Sequence, residues 1–308
     1  MVVFGKKSDK FFALCPLRNM KSRGARRDGG RSAAILGLDW PNNKMGTLAK
    51  RLQQLASRSM ETESSNIIKS VASNKRGLSK ALDTTLRTSH DMKVFGLGTA
   101  ASMASRERYA RFTTSMHAVY EAMETGLDAS PSPAVGAVWN RFGDDLRRAD
   151  LLKADLVEVC GDDALPPISP ATRAYVDAIG AAAASDADVH GARLLGHLYC
   201  RYFADLFGGQ ALAGPYRWAL DLGPTSPRHY DFGEFGANRR ESIEGIYAAL
   251  NEAGDLLSDE YAREAVVEEA RGAFAHNVSV YSEEGKLVSD GAIGIARMVV
   301  GFGRSRVA

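Results

Sequence analysis

From Leu78 onward, apolar residues return at helical intervals almost to the end of the chain. Leu78, Leu82 and Leu86 recur every fourth residue and so form one row along a helix face, with His90 as the next member of that row. Between Glu107 and Leu127, Tyr109, Phe112, Met116, Val119 and Met123 are spaced 3, 4, 3 and 4 residues apart, as in an amphipathic helix. Trp139, Phe142 and Leu146 continue the pattern, followed by a short helix at Leu151–Val159. Ser169-Pro170 reads as an N-cap with proline at the first helical position, opening a helix at Ala171–Ile179. The small residues of Ala181–Asp188 suggest a loop, after which an aromatic-rich helix begins near Val189. A break is expected at Gly214-Pro215, with resumption from Trp218 to Leu222, and Gly223–Gly236 reads as a loop. Ser242–Ala253 is helical, and Ser258-Asp259-Glu260 caps a last row, Val267, Ala270, Phe274, Val278 and Tyr281. No convincing β alternation, solenoid repeat, GxGxxG or P-loop interrupts this. The pattern predicts an all-α protein with one domain at 75–284 and a C-terminal tail at 285–308.

The first 74 residues differ in kind. Of the 39 basic residues, 13 fall within positions 1–60, with only 3 of the 37 acidic ones. A basic leader ahead of an acidic body is not the profile of a nucleic-acid-binding core. Residues 1–45 are Arg/Ser-rich, acid-poor and without an apolar h-region, which fits an organellar address and equally a disordered basic tail, but not a secretory signal. A short helix is expected at Leu48–Ser57 and a polar linker at Glu61–Arg76. Three scattered cysteines, Cys15, Cys160 and Cys200, argue for reduced thiols rather than a disulfide framework. No apolar run reaches transmembrane length.

Candidate chemistry concentrates in Leu194–Leu212, LLGHLYCRYFADLFGGQAL. Arg201 and Asp205, four residues apart, share a helix face. Gly208 and Gly209 stand where helix formers would be favoured by about 1 kcal/mol each. Spacing alone allows either a kinked core helix with an internal ion pair or a close approach of backbone to a flat ligand.

The residues Tyr199-Cys200-Arg201-Tyr202-Phe203-Ala204-Asp205-Leu206-Phe207-Gly208-Gly209-Gln210 resemble the distal-helix signature of haem oxygenases, a pattern close to YTRYLGDLSGGQ. Leu78-Ser79-Lys80-Ala81-Leu82 through His90 resembles that family's first helix, LSEALKEATKEVH. Tyr120-Glu121-Ala122-Met123-Glu124 is similar to its YxALE-like stretch, and Glu268–Asn277 to its last core helix, EEAKTAFLLN. The resemblance covers 75–284 in the family's order.

It implies a multi-helix bundle holding haem b, both substrate and cofactor, between a proximal helix and a kinked distal one. It further implies cleavage of haem to biliverdin with release of CO and ferrous iron, using O₂ and electrons from ferredoxin or a flavoprotein reductase. On that reading His90 is the axial iron ligand. Asp205 anchors ordered water over the distal face, with Arg201 and Tyr120 in the same polar network. Arg87 and Tyr199 meet the propionates. Ala204, Gly208, Gly209 and Phe274 line the haem. The leader then addresses an organelle, plastid ahead of mitochondrion; without such an address the protein is cytoplasmic.

Several positions depart from the family. Asp83 replaces a basic residue of the first helix, and in Ile243-Glu244-Gly245-Ile246-Tyr247-Ala248 the FKxxYR-like pattern has lost its lysine and arginine. Ala204 stands for glycine and Phe207 for serine. Weakened haem recognition leaves a second class open, a haem or tetrapyrrole carrier, sensor or assembly factor. The paired carboxylate and ExxH patterns of a di-iron bundle are missing.

Overall fold

The computed structural model describes residues 75–89, 91–161, 165–187 and 191–306. They fall within one compact unit, Asn43–Ala308, and every regular element among them is helical. The basic leader, the expected helix at Leu48–Ser57, nearly all of the linker and His90 lie outside the described residues.

The longer helices are α1 (Gly77–Ser89), α2 (Met92–Ser102), α3 (Arg106–Ala129), α4 (Pro133–Leu146), α5 (Ala149–Cys160) and α6 (Pro170–Ser185). The central α7 (Leu194–Phe207) is followed by a 3₁₀ turn at Gly209–Leu212 and by α8 (Ala213–Leu220). A second 3₁₀ turn at Arg228–Tyr230 precedes the short α9 (Gly233–Ala237), then α10 (Arg239–Leu256), α11 (Glu260–Ser282) and α12 (Leu287–Ser305).

Helix starts follow local chemistry. Ser105, Ser132, Ser169 and Asp259 each accept a backbone N–H from the first turn of α3, α4, α6 and α11, which satisfies donors that no helical carbonyl can reach. Pro133 and Pro170 sit where no backbone donor is needed.

Helix α7 is the axis of the core. It packs against α11, α3, α6, α1 and α4. Where α7 crosses α11, a Cβ on Gly196 would lie 2.7 Å from both Ala270 N and Val266 O, so the two backbones meet at a contact that only glycine permits. Layered around it, α10 lies on α4 and α1, and α11 on α1, α6 and α2.

Two sequence expectations change, and two are filled in. Helix α6 continues to Ser185, because the run of alanines read as a loop is made of the strongest helix former. Gly214-Pro215 does not interrupt α8: Pro215 lies in its first turn, where its missing N–H is harmless, and the chain breaks earlier, at Gly208. In α11 the predicted members Ala270 and Phe274 are buried and Val267 and Tyr281 partly so, with Val266, Ala273, Asn277 and Val280 completing the buried face. The C-terminal tail is the helix α12, packed on α2 and α8, with Arg297 Nε donating to Ala219 O at 2.9 Å.

Candidate functional site

Of the fourteen residues of α7, every one but Ala204 is buried. Gly208, on the same face one turn later, is also only half-buried, so the uncovered stripe carries nothing bulkier than a methyl group. Asp205 lies beside it, and α7 ends there: Gly208 leaves helical geometry (φ −140°, ψ −24°) and the chain tightens into the 3₁₀ turn.

The polar residues behind this stripe form one chain across four helices, α3, α7, α11 and α6. Tyr120 of α3 donates its hydroxyl to Asp205 Oδ2. Arg201 Nη2 lies 3.8 Å from Asp205 Oδ1, the two side chains being only 6% and 7% exposed, and its guanidinium sits 5.3 Å from the centre of the Tyr120 ring. Arg201 Nη1 donates to Asn277 Oδ1 of α11 at 2.9 Å. Asn277 Nδ2 faces Tyr175 Oη at 3.1 Å, Cys200 Sγ at 3.2 Å and Ala273 O at 3.0 Å.

Burial disfavours ionisation of the phenol and pushes Tyr120 well above its ordinary value, so it is a hydrogen-bond donor at neutral pH. Burial opposes the Arg201 charge, but the surrounding oxygens of Tyr120 and Asp205 outweigh it, and Arg201 is held more firmly protonated than usual. Burial also raises the Cys200 thiol to about 12, which makes it an inert core residue.

Two buried polar atoms here, Arg201 Nε and Gln210 Nε2, have no hydrogen-bond partner. Buried donors of this kind are ordinarily completed by ordered water or a bound group. On the far side, a Cβ on Gly209 would lie 3.0 Å from the Tyr230 ring and 3.1 Å from Asp205 Oδ1. Tyr230 is brought there by the Arg228–Tyr230 turn, which Asp155 gathers through Arg228 N (2.8 Å) and His229 Nδ1 (2.9 Å).

The structure thus brings Tyr120, Arg201, Asp205, Ala204, Gly208 and Gly209 together. Phe274 is in the core and Tyr199 is fully buried, stacked on Phe203 at 4.4 Å. Arg87 is 61% exposed and pairs with Asp83 at 3.1 Å, in the same helix. The sequence reading did not assign Asn277 or Asp155. Asn277 had a signal, being the one polar member of the buried face of α11. Asp155 had none, since its partners lie more than 70 residues away.

An apolar stripe on a buried helix, backed by a carboxylate whose neighbours are all donors, suits a flat ligand presenting reactive chemistry on one face. Comparison with known proteins puts a family to this arrangement. The family model described as "Heme oxygenase" matches residues 76–283, and the chain belongs to that family. It is 30% identical over 198 residues to "Heme oxygenase 1" of Synechocystis, covering 63% of this chain and 77% of that one. It is 29% identical over 182 residues to "Heme oxygenase 2" of Rattus norvegicus, of which it spans only 55%, against 58% of this chain. The heme oxygenase-2 of Synechocystis solved with heme and NO has a TM-score of 0.58 at 27% identity, covering 68% of this chain and 85% of that one. Heme oxygenase-2 of Chlamydomonas reinhardtii, solved without heme, shares the fold: TM-score 0.56, 23% identity, 67% and 97% covered.

Proposed function

We propose that the protein is an active haem oxygenase that opens haem to biliverdin with release of CO and ferrous iron. The observation that carries this reading is the uncovered Ala204–Gly208 stripe next to a buried carboxylate whose partners are Tyr120 and Arg201. Bound haem would supply the iron and porphyrin on which O₂ and external electrons act.

The chain's own residues do the rest. Ala204 and Gly208 let the α7 backbone approach a flat ring closely. Asp205, beside the donors Tyr120 and Arg201, would hold ordered water on that face, and Arg201 fixes the carboxylate by reaching from Asp205 to Asn277. Tyr120 holds its proton against Asp205 Oδ2 and so fixes which oxygen faces the stripe. A scaffold that only stored a tetrapyrrole would gain nothing from burying this acid. His90, the residue after α1 in the sequence, would hold the haem iron on this reading. The electron donor would be ferredoxin or a flavoprotein reductase, and the basic leader supports an organellar address.

Among the described residues no helix is long and apolar enough to cross a membrane. Among the described residues no three or more His, Cys, Asp or Glu side chains are grouped so as to hold a metal ion.

The test is a haemin titration of the full chain followed by a reductant under air. A one-to-one Soret complex that bleaches to a biliverdin spectrum, and does not in Asp205→Asn, is the expected result. A complex that persists unchanged under reductant would leave the carrier or sensor reading.

A further inference from the structure

We infer that Asp83 is a specificity-determining residue that keeps carboxylates away from the edge of the ligand site between α1 and α10. The edge then meets a neutral rim of the tetrapyrrole rather than its propionates. The inference rests on the haem reading above and concerns which part of that ligand the chain recognises.

Asp83 is only 5% exposed, yet it lies at the centre of the positive charge in this region. Lys75 Nζ reaches its Oδ1 at 3.1 Å, Arg87 Nε its Oδ2 at 3.1 Å, and the Tyr247 hydroxyl of α10 donates to Oδ1 at 3.4 Å. Lys75, 11% exposed, also lies 5.7 Å from the centre of the Tyr247 ring. The carboxylate of Asp83 therefore already occupies the donors that a ligand carboxylate would need. One turn before Tyr247, Glu244 adds a second acid, which Arg240 engages at 3.4 Å.

The neighbouring tyrosine fits the same picture. The Tyr199 hydroxyl of α7 is buried beside the Tyr247 hydroxyl. Burial raises its pKa first, and the nearby Tyr247 and Asp83 raise it further. Tyr199, Phe203 and Tyr247 stack in sequence, at 4.4 and 5.2 Å, which connects this cluster to the α7 stripe beside Ala204. The cations of this cluster are thus taken. A propionate entering would have to separate Asp83 from Lys75 and Arg87 and leave two carboxylates side by side in a buried place, where like charges disfavour each other strongly. A carbonyl, ester or vinyl rim meets no such penalty.

The experiment compares haemin with haemin dimethyl ester by Soret titration of the full chain, its Asp83→Asn variant and its Arg87→Gln variant. The expected result is that the parent binds the two ligands within about threefold of each other, and that Asp83→Asn tightens haemin about tenfold relative to the ester, because Lys75 and Arg87 are released to form charge-assisted bonds. Arg87→Gln should move neither affinity by more than about threefold, since that exposed arginine serves Asp83 and not the ligand. A parent that already prefers the free acid about tenfold, or an Arg87→Gln variant that loses haemin but keeps the ester, overturns the inference. Arg87 is exposed enough for that variant to fold whatever happens to Asp83→Asn. If no protein forms a Soret complex with either porphyrin, the haem reading itself fails and the inference falls with it. A complex with an unmoved ligand ratio removes the inference alone.

Discussion

The hydroxyl of Tyr120 on α3 donates to the carboxylate of Asp205 on α7, and this bond joins the longest helix of the bundle to its central one. Tyr120→Phe leaves a buried carboxylate oxygen without its donor, which is expected to cost about 1–3 kcal/mol. Asp205→Asn removes the charge but keeps the shape. Thermal melts of both single variants and the double variant should therefore be non-additive by at least about 0.5 kcal/mol. Additive losses would mean that the two side chains are neighbours without being partners.

Arg201 is placed to be the more costly of the chain's paired arginines to lose. Arg201→Met leaves Asp205 buried beside Tyr120 with no positive partner and is expected to destabilise by about 3–5 kcal/mol. Arg87→Gln removes an exposed arginine from an acid that keeps Lys75 as its partner, and should lie near the 0–1 kcal/mol typical of surface bridges. Urea unfolding of the two variants side by side checks the ranking, which a reversed order would contradict.

At the crossing of α7 and α11, Gly196→Ala drives a methyl group against two backbone atoms of Val266 and Ala270. Backbone cannot rotate aside as a side chain can, so the variant should lose about 1–3 kcal/mol or more, although alanine is the better helix former. A chemical denaturation curve that shows no loss would mean that the helices can separate freely.

Asp155 gives a pH dependence with a definite sign. Burial alone would raise its carboxyl. The hydrogen bond and charge of His229, with the backbone donors of Arg228 and His229, outweigh that and hold it below the ordinary value of 3.8. Its contribution to stability is thus fully present above that value and is lost as pH falls below 3.8 through the folded value. Asp155→Asn should be less stable than the parent at about pH 6, and the gap should narrow toward about pH 3. Urea midpoints at the two pH values measure it. A constant gap would show that the turn holding Tyr230 does not depend on the ionised acid.

The helices were legible where period and punctuation agreed. Tyr109, Met116, Val119 and Met123 are all buried as their spacing required, and Ser169-Pro170 starts α6 where a cap and a proline coincide. Legibility failed where composition misled. Alanines read as loop extended α6, and Gly214-Pro215 looked like a breaker although its position in the first turn made it harmless.

At the site, Arg201 and Asp205 were visible because four-residue spacing encodes a shared face. Tyr120 was visible only through resemblance, because nothing local links positions 85 residues apart. The Lys75–Asp83–Tyr247 cluster was opaque for the same reason: the sequence shows an acid where a base was expected, and only folding shows which cations it captures.

The solitary uncovered position of α7 has a consequence for how this protein can change over evolutionary time. Thirteen of that helix's fourteen residues are buried in the core, so altering any of them disturbs the packing around it. Ala204 alone is free of that constraint. Its side chain can be trimmed to glycine or enlarged to serine with little disturbance to the core, while the surface offered to a ligand changes directly. Descendants of this chain could therefore drift in selectivity through a single residue without first acquiring a stabilising change elsewhere.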